Sequence, residues 1–259
     1  MFSVFKSKKI IVTGHTGFKG SWLTAWLDEL GAELTGISLD PPTLPSHFNE
    51  LNLKNLINDK RLDIRNLEEL KKVFLEVQPD FVFHLAAQPL VQTSYKLPVD
   101  TYTSNFIGSL NILESLRLLK KNCCAVMITS DKSYYNKEWE WGYRENDELG
   151  GLDPYSASKG ATEIMIRSHV NSFFQDKSNI KICVARAGNV IGGGDWAEDR
   201  IVPDTAKSWI KNKELNIRNP LATRPWQHVL EPLGGYLMLA RKLHQSPNLN
   251  GEAFNFGPN

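Results

Sequence analysis

The chain has little cysteine, almost no net charge and no long apolar run. Its three cysteines, Cys123, Cys124 and Cys183, are too few for a disulfide framework, and their spacing fits no zinc pattern. Cys123 and Cys124 are neighbours in an apolar stretch and should point to opposite faces of a strand. They read as free thiols in a core within a reducing compartment, and no metal site is expected. Thirty Lys and Arg against 29 Asp and Glu leave a net charge of +1, which argues against a general nucleic-acid binder with its basic face. No run approaches the ~20 apolar residues that span a bilayer. Met1 to Lys6 leads straight into an apolar strand pattern rather than a secretory leader. The expectation is a cytoplasmic protein with neither nucleic acid nor membrane as partner.

What is present is an ordinary globular balance, 259 residues with 41% hydrophobic and 23% charged. That length accommodates one large domain or two small ones and a core that needs no staples. Strand and helix patterns alternate. Strands are expected at Lys9 to Thr13, Leu34 to Leu39, Asp80 to Leu85, Ala125 to Thr129 and Ile180 to Ala185. Helices are expected at Gly17 to Leu30, with Phe18, Trp22, Trp26 and Leu30 on one face, and at Asn66 to Val77, stopped by Pro79. Two more are expected, a long one over about Val99 to Leu119 and one over Pro154 to Phe174. Helices between strands at this spacing imply right-handed parallel crossovers and an α/β, doubly wound sheet. Punctuated loops fall at Asp40 to Ser46, Asn136 to Asp153 and Gly192 to Arg200; long loops in a compact domain tend to carry function.

The first strand runs into Gly14-His15-Thr16-Gly17-Phe18-Lys19-Gly20, and a helix follows at once. Glycines there permit a tight turn and let backbone approach a pyrophosphate, which the helix N-terminus attracts. Asp40 follows Gly20 by 20 residues, at the end of the second strand. A carboxylate there holds an adenosine ribose and repels a 2′-phosphate, so NAD is expected rather than NADP. Lys19 either pairs with a phosphate or crowds the cofactor, and His15 is equally unusual in such a turn.

Tyr155 and Lys159 stand at i and i+4 near a helix start, on one face with Cβ atoms about 5–6 Å apart. A nearby ammonium favours phenolate, so Lys159 is expected to lower the Tyr155 pKa and make it a base. With the glycine turn, this pair resembles the extended branch of the short-chain dehydrogenase/reductase superfamily. That family's third member, a Ser or Thr after the central strand, falls on Ser130. Next come Asp131 and Lys132, two ionisable groups that simple hydride transfer does not need. Eliminating water does need a further acid and a base. A surface ion pair is the plain alternative.

The stretches Gly14 to Trp22, Ala86-Ala-Gln-Pro-Leu90, Lys137 to Asn146, Arg186 to Trp196 and Arg224 to Pro232 resemble the nucleotide-sugar 4,6-dehydratases, in particular those acting on CDP-glucose. Lys132 stands where most of these enzymes have Glu. The resemblance covers the whole chain and implies a Rossmann fold, NAD as a recycled cofactor and a nucleotide-sugar substrate. It implies that Tyr155 takes the C4 hydroxyl proton, Ser130 bonds that oxygen and Lys159 holds the nicotinamide ribose. Asp131 would be the acid at the C6 hydroxyl, and either Lys132 or Tyr155 the base at C5. It carries cofactor contacts onto the glycine turn, Asp63, Ile64, Ala86, Ala87 and Asn105. Substrate contacts are carried onto Gln88, Asn189, Arg200, Arg224 and His228; Trp196 and Trp226 either stack on the base or fill core. An epimerase or reductase on another nucleotide sugar shares Ser130, Tyr155 and Lys159, and a silent NAD-binding module remains a third possibility.

The resemblance divides the chain into an NAD-binding part, residues 1–188 with 229–256 returning to it, and part of a substrate lobe, residues 189–228. The sequence stops at Phe254 to Asn259, where the family places the start of its carboxy-terminal lobe. A complete cofactor half that binds NAD, an incomplete substrate half and weak or absent turnover are therefore expected. Relatives pair through a helix bundle, which implies a homo-oligomer.

Overall fold

A computed structural model describes residues 2–175, 178–217 and 219–258; Met1 and Asn259, at the two chain ends named above, lie outside them. In chain order the main elements are β1 (Lys9–Thr13), α1 (Phe18–Glu29), β2 (Glu33–Ser38), α2 (His47–Glu50), β3 (Asn58–Arg61) and α3 (Leu67–Val77). There follow β4 (Phe81–His84), α4 (Val91–Lys96), α5 (Pro98–Tyr102), α6 (Gly108–Leu116), β5 (Cys123–Ile128) and α7 (Pro154–Phe173). The last are β6 (Ile180–Ala187), β7 (Val190–Ile191), α8 (Ile201–Ile210), β8 (Gln227–His228), α9 (Leu230–Gln245) and β9 (Ala253–Phe256).

Seven strands form one parallel sheet in the order β3-β2-β1-β4-β5-β6-β9. This is the doubly wound arrangement expected. The order reverses between β1 and β4, and a crevice opens beyond the carboxyl ends of those strands. Alternation along each strand feeds two separate cores. Ile11, Val82 and Cys123 face one, while Ile10, Val12, Phe81, Phe83 and Cys124 face the other. The adjacent cysteines thus part as expected. Burial pushes the Cys124 thiol up to about 12 and raises Cys123 and Cys183 well above the ordinary value, so all three are inert.

Two sequence expectations need correction. The Phe18–Trp22–Trp26–Leu30 stripe only flanks the core. Gly20, Ser21, Leu23, Thr24 and Leu27 form the buried face of α1, because small residues let the helix sit close to the sheet. The long helix over 99–119 is divided. Pro98 opens α5, and a wide turn with π-type spacing, Thr103–Ile107, separates it from α6. β3, α8 and α9 carry no clear pattern in the sequence. Among the described residues no helix is long and apolar enough to cross a membrane, and no group of three His, Cys, Asp or Glu is placed to hold a metal ion.

Candidate active site

The crevice is a cleft of about 1190 Å³ lined from the glycine turn, the ends of β4, β5 and β6, the start of α7 and residues 189–226. Pockets for one drug-sized ligand hold ~300–1,000 Å³, so a dinucleotide and a second molecule both have room. The turn is shaped by close approach. Gly14 has φ +76°, and a Cβ there would lie 2.7 Å from the Ala86 nitrogen. A Cβ on Gly20 would stand 2.0 Å from the Gly14 carbonyl oxygen. Gly17 caps α1 without a side-chain acceptor, and a Cβ there would have only the Gly14 oxygen, at 3.4 Å, within 4 Å. The helix N-terminus is therefore open to the cleft, a form that fits a pyrophosphate.

The other positions of the adenosine end divide. Thr16 shares a hydrogen bond with the Ser38 hydroxyl at 2.8 Å and donates to the Leu39 carbonyl at 3.1 Å. Asp40 lines the cleft with its side chain 92% exposed, 3.9 Å from Arg61. Asp63 lines the cleft beside Arg65, whose guanidinium holds the carboxyl below the usual range. Ile64, Ala86 and Ala87 also line it. His15 does not. Its ring is fully buried behind the turn against Gly36, and Nε2 meets Asp59 at 2.8 Å. Asn105 is also buried away from the cleft. It donates to Ser158 and accepts from the Gln88 amide, both at 2.8 Å, so it positions a loop rather than facing a ligand. Phe18 and Lys19 face the cleft. The Lys19 ammonium lies 5.9 Å from the Tyr236 ring centroid. It is held down to about 8 by burial and then by Arg200, against the pull of Asp131.

β5 delivers the next group. Ser130 caps a short turn by accepting from the Lys132 amide at 3.2 Å, and its hydroxyl donates to Asp131 at 3.0 Å. Opposite, Asp153 caps α7 by accepting from the Ser156 amide at 3.0 Å, which places Tyr155 in the first turn and Lys159 one turn on. Ser130, Asp131, Lys132, Tyr155 and Lys159 all line one stretch of cleft. The Tyr155 phenol bonds with Ser130, yet its pKa is raised, because burial outweighs that bond. This corrects the expectation of a tyrosine lowered by Lys159. The lysine is itself held down to about 8 by burial and by Lys19, with Glu163 opposing. His84 supports the strand end from below, with Nδ1 2.7 Å from the Thr13 hydroxyl and Nε2 2.9 Å from the Ser109 hydroxyl.

On the remaining wall stand Asn189, Trp196, Arg200, Arg224 and Trp226. Arg200 is held at 2.9 Å by Asp195. Arg224 is exposed and donates to the Thr223 carbonyl at 2.6 Å. Gln88 lines the cleft, but its amide is committed to Leu90 and Thr101. His228 is not brought in. It sits exposed on β8, paired with the lining residue Ile191 but not itself part of the lining, with its ring edge-on to Trp22 at 6.5 Å. The Lys137 to Asn146 stretch also lies outside the lining. Its Tyr143 stacks on Tyr134, and Trp139 lies tilted against both Trp141 and Tyr143. Sequence reasoning missed the buried pair Glu163–Arg186 beneath the site; a Glu four residues after Lys159 was its one visible signal.

A parallel sheet of this order, a glycine turn at its switch point and a Ser–Tyr–Lys constellation define an extended short-chain dehydrogenase/reductase. More narrowly, the chain belongs to the GDP-mannose 4,6 dehydratase family, whose sequence profile matches residues 11–255. It is 48% identical over 258 residues to the CDP-glucose 4,6-dehydratase of Salmonella typhimurium, covering 98% of this chain and 72% of that one. Among solved structures it resembles the epimerase Mth375 of Methanothermobacter thermautotrophicus, at TM-score 0.80 and 28% identity over 99% of this chain and 73% of that one. It also resembles the UDP-glucuronic acid 4-epimerase of Bacillus cereus in complex with UDP-glucuronic acid and NAD. There the TM-score is 0.80 and the identity 25%, over 96% of this chain and 77% of that one.

Proposed function

We propose that this chain catalyses the NAD-dependent 4,6-dehydration of CDP-glucose to CDP-4-dehydro-6-deoxyglucose. The observation that carries this reading is the meeting of the Ser130–Asp131–Lys132 turn with Tyr155 and Lys159 in one cleft that also takes in the open glycine turn. Bound NAD supplies the hydride acceptor at C4 and the hydride donor at C6. Tyr155 takes the proton of the C4 hydroxyl while Ser130 bonds the same oxygen. Lys159 holds the nicotinamide ribose and keeps positive charge beside the phenol. The C4 ketone acidifies the C5 hydrogen, which Lys132 removes, and Asp131 gives a proton to the departing C6 hydroxyl. A base on the cleft wall next to its partner acid is what elimination adds to simple oxidation. An epimerase has no use for that pair.

The open N-terminus of α1 takes the cofactor pyrophosphate, Asp40 the adenosine ribose, and Asp63, Ile64, Ala86 and Ala87 line the path between. Asn189, Arg200 and Arg224 hold the substrate diphosphate; guanidinium forks match phosphate oxygens. The cofactor part comprises residues 1–188 and 229–256. β9 adds to the sheet beside β6, and Leu233, Tyr236 and Leu237 of α9 share a core with Val126 and Cys183. Residues 189–228 belong to the substrate part. Tyr102, Ile107, Ile164 and Phe173 are exposed on α5, the wide turn and α7, and a homo-oligomer covers them.

The test is incubation of the chain with NAD and CDP-glucose, followed by mass spectrometry of the nucleotide sugar. Loss of one water with NAD conserved is expected. An isomer of unchanged mass would replace this reading by epimerisation. Unaltered CDP-glucose beside bound NAD would overturn it.

A further inference from the structure

Below the cleft floor lies a network that the proposed chemistry does not use. Glu163 and Arg186 are 3% and 4% exposed and form a forked ion pair. Burying two charges is costly unless their remaining hydrogen-bonding positions are filled, and here they are filled by three further partners. Thr129, next to Ser130, donates to Glu163 at 2.5 Å. Arg186 donates to the Tyr134 hydroxyl at 2.5 Å and to the Glu145 carbonyl at 3.0 Å. The Tyr134 hydroxyl donates to the Asn255 side-chain carbonyl of β9 at 2.8 Å. Asn255 in turn holds the Tyr143 carbonyl and the Glu145 carboxylate, at 2.9 and 2.8 Å. The 134–149 loop thereby acquires a role: it is wrapped around Arg186 and closes the network from behind.

Glu163 lies one helical turn beyond Lys159, on the same face of α7. We propose that Glu163 is a positioning residue. Locked by Arg186 and Thr129, its carboxylate keeps the Lys159 ammonium charged and fixes α7 against the turn that carries Ser130, Asp131 and Lys132.

The charged and titratable groups that act on or stand beside Lys159 are Lys19 from α1, His84 from β4, and Tyr155 and Glu163 from α7 itself. Lys19 opposes its charge, and His84 is neutral, with its pKa held near 3. Glu163 alone among the groups acting on Lys159 favours the ammonium. Arg186 touches Glu163 and carries the opposite charge, so neutralising the whole pair should move Lys159 less than losing the carboxylate alone.

The inference rests on the catalytic part given to Lys159 above, but its test needs neither substrate nor cofactor. The whole chain is labelled with 13Cε-lysine and titrated by NMR, and the Lys159 signal is identified by its loss in Lys159→Arg. In Glu163→Gln the Lys159 midpoint should fall by about 0.5–2 pH units, the range between water-like and protein-like screening at ~6 Å. Arg186 is left buried and unpaired in that variant, a strongly destabilising change, so Glu163→Gln combined with Arg186→Met serves beside it as a second variant. Neutral replacements of similar volume for a buried pair are tolerated, and a smaller fall in the same direction is expected, because the more distant cation goes with the carboxylate. Glu163→Asp keeps the charge and should stay within about 0.3 pH units of wild type, by the same screening argument. A folded double variant with an unmoved midpoint, or an Asp variant that shifts as far as the Gln variant, overturns the proposal. A chain inactive on CDP-glucose leaves this titration intact, so failure of the reaction and failure of the inference are read separately.

Discussion

Adding one methyl group at Gly17 and one at Gly20 separates the two tasks of the glycine turn. At Gly20 the new carbon would stand 2.0 Å from the Gly14 oxygen, 2.7 Å from the Gly14 carbonyl carbon and 2.9 Å from the His15 Cα. All three are backbone, so α1 has to move by more than an ångström. Overpacking of this kind costs about 1–3 kcal/mol. At ~2–4 °C per kcal/mol for a domain near this size, the melting temperature should fall by about 2–12 °C. At Gly17 the arithmetic differs. The methyl meets only the Gly14 oxygen, at 3.4 Å, an ordinary contact. Alanine is a poorer N-cap than glycine, but it removes ~0.4–1 kcal/mol of unfolded-state freedom. The two nearly cancel, and stability should change by less than about 1 kcal/mol. The methyl nevertheless stands before the helix N-terminus, where the dinucleotide would lie. Gly17→Ala should therefore melt like wild type and bind NAD at least tenfold more weakly by calorimetry, a loss of ~1.4 kcal/mol. Wild-type NAD affinity in Gly17→Ala would refute the placement of the pyrophosphate at this helix end.

Lys132→Ala should abolish exchange of the substrate C5 hydrogen with solvent while C4 oxidation persists; exchange at the wild-type rate in deuterium oxide removes Lys132 from the base role and leaves Tyr155. Stability should also fall in mild acid. His84 is held neutral with its pKa near 3, and His15 is lowered too, both chiefly by burial. Their folded values lie below the unfolded value, so the unfolded chain binds the extra protons. Stability is then lost as pH falls below about 6.5, at ~1.4 kcal/mol per pH unit for His84, with His15 adding in the same direction. Urea midpoints at pH 7.5 and 5.5 measure this, and His84→Gln should flatten the dependence even though it lowers the absolute midpoint. An equal slope in both proteins would show that His84 is not the group responsible.

The parts of the fold that were legible are those that must be apolar. β1, β4, β5 and β6 lie inside the sheet and read as Ile, Val and Phe runs. β3, Asn-Asp-Lys-Arg, was invisible because an edge strand needs backbone pairing and little apolar content. α9 was hidden by Pro232, Gly234 and Gly235. The proline sits in the first turn, where it is harmless. A Cβ at Gly235 would come within 2.3 Å of the Phe256 ring, so that glycine serves packing against β9. The site was legible where a motif carries its own geometry, as with Tyr155 and Lys159. It was misread where direction decides. His15 lies inside the glycine turn yet points behind it, Asn105 is buried in contacts with Gln88 and Ser158, and His228 stands outside the cleft lining. Burial also reversed the expected sign at Tyr155, and a pattern of residue types carries no information about desolvation.

The wide turn at Thr103–Ile107 sets a rule about length. Within it Asn105 reaches the Gln88 amide at 2.8 Å and Ser158 at 2.8 Å, while its carbonyl accepts from Thr162 at 3.0 Å. A regular helix advances by ~100° per residue. Deleting one residue here would restore ordinary winding, but it would also rotate everything before the turn by that angle relative to α6. Either the contact with α7 or the grip on the loop after β4 would then point the wrong way. The spacing across this segment is thus a matter of helical phase: substitutions can be absorbed one at a time, whereas a single insertion or deletion uncouples two sides of the cleft at once.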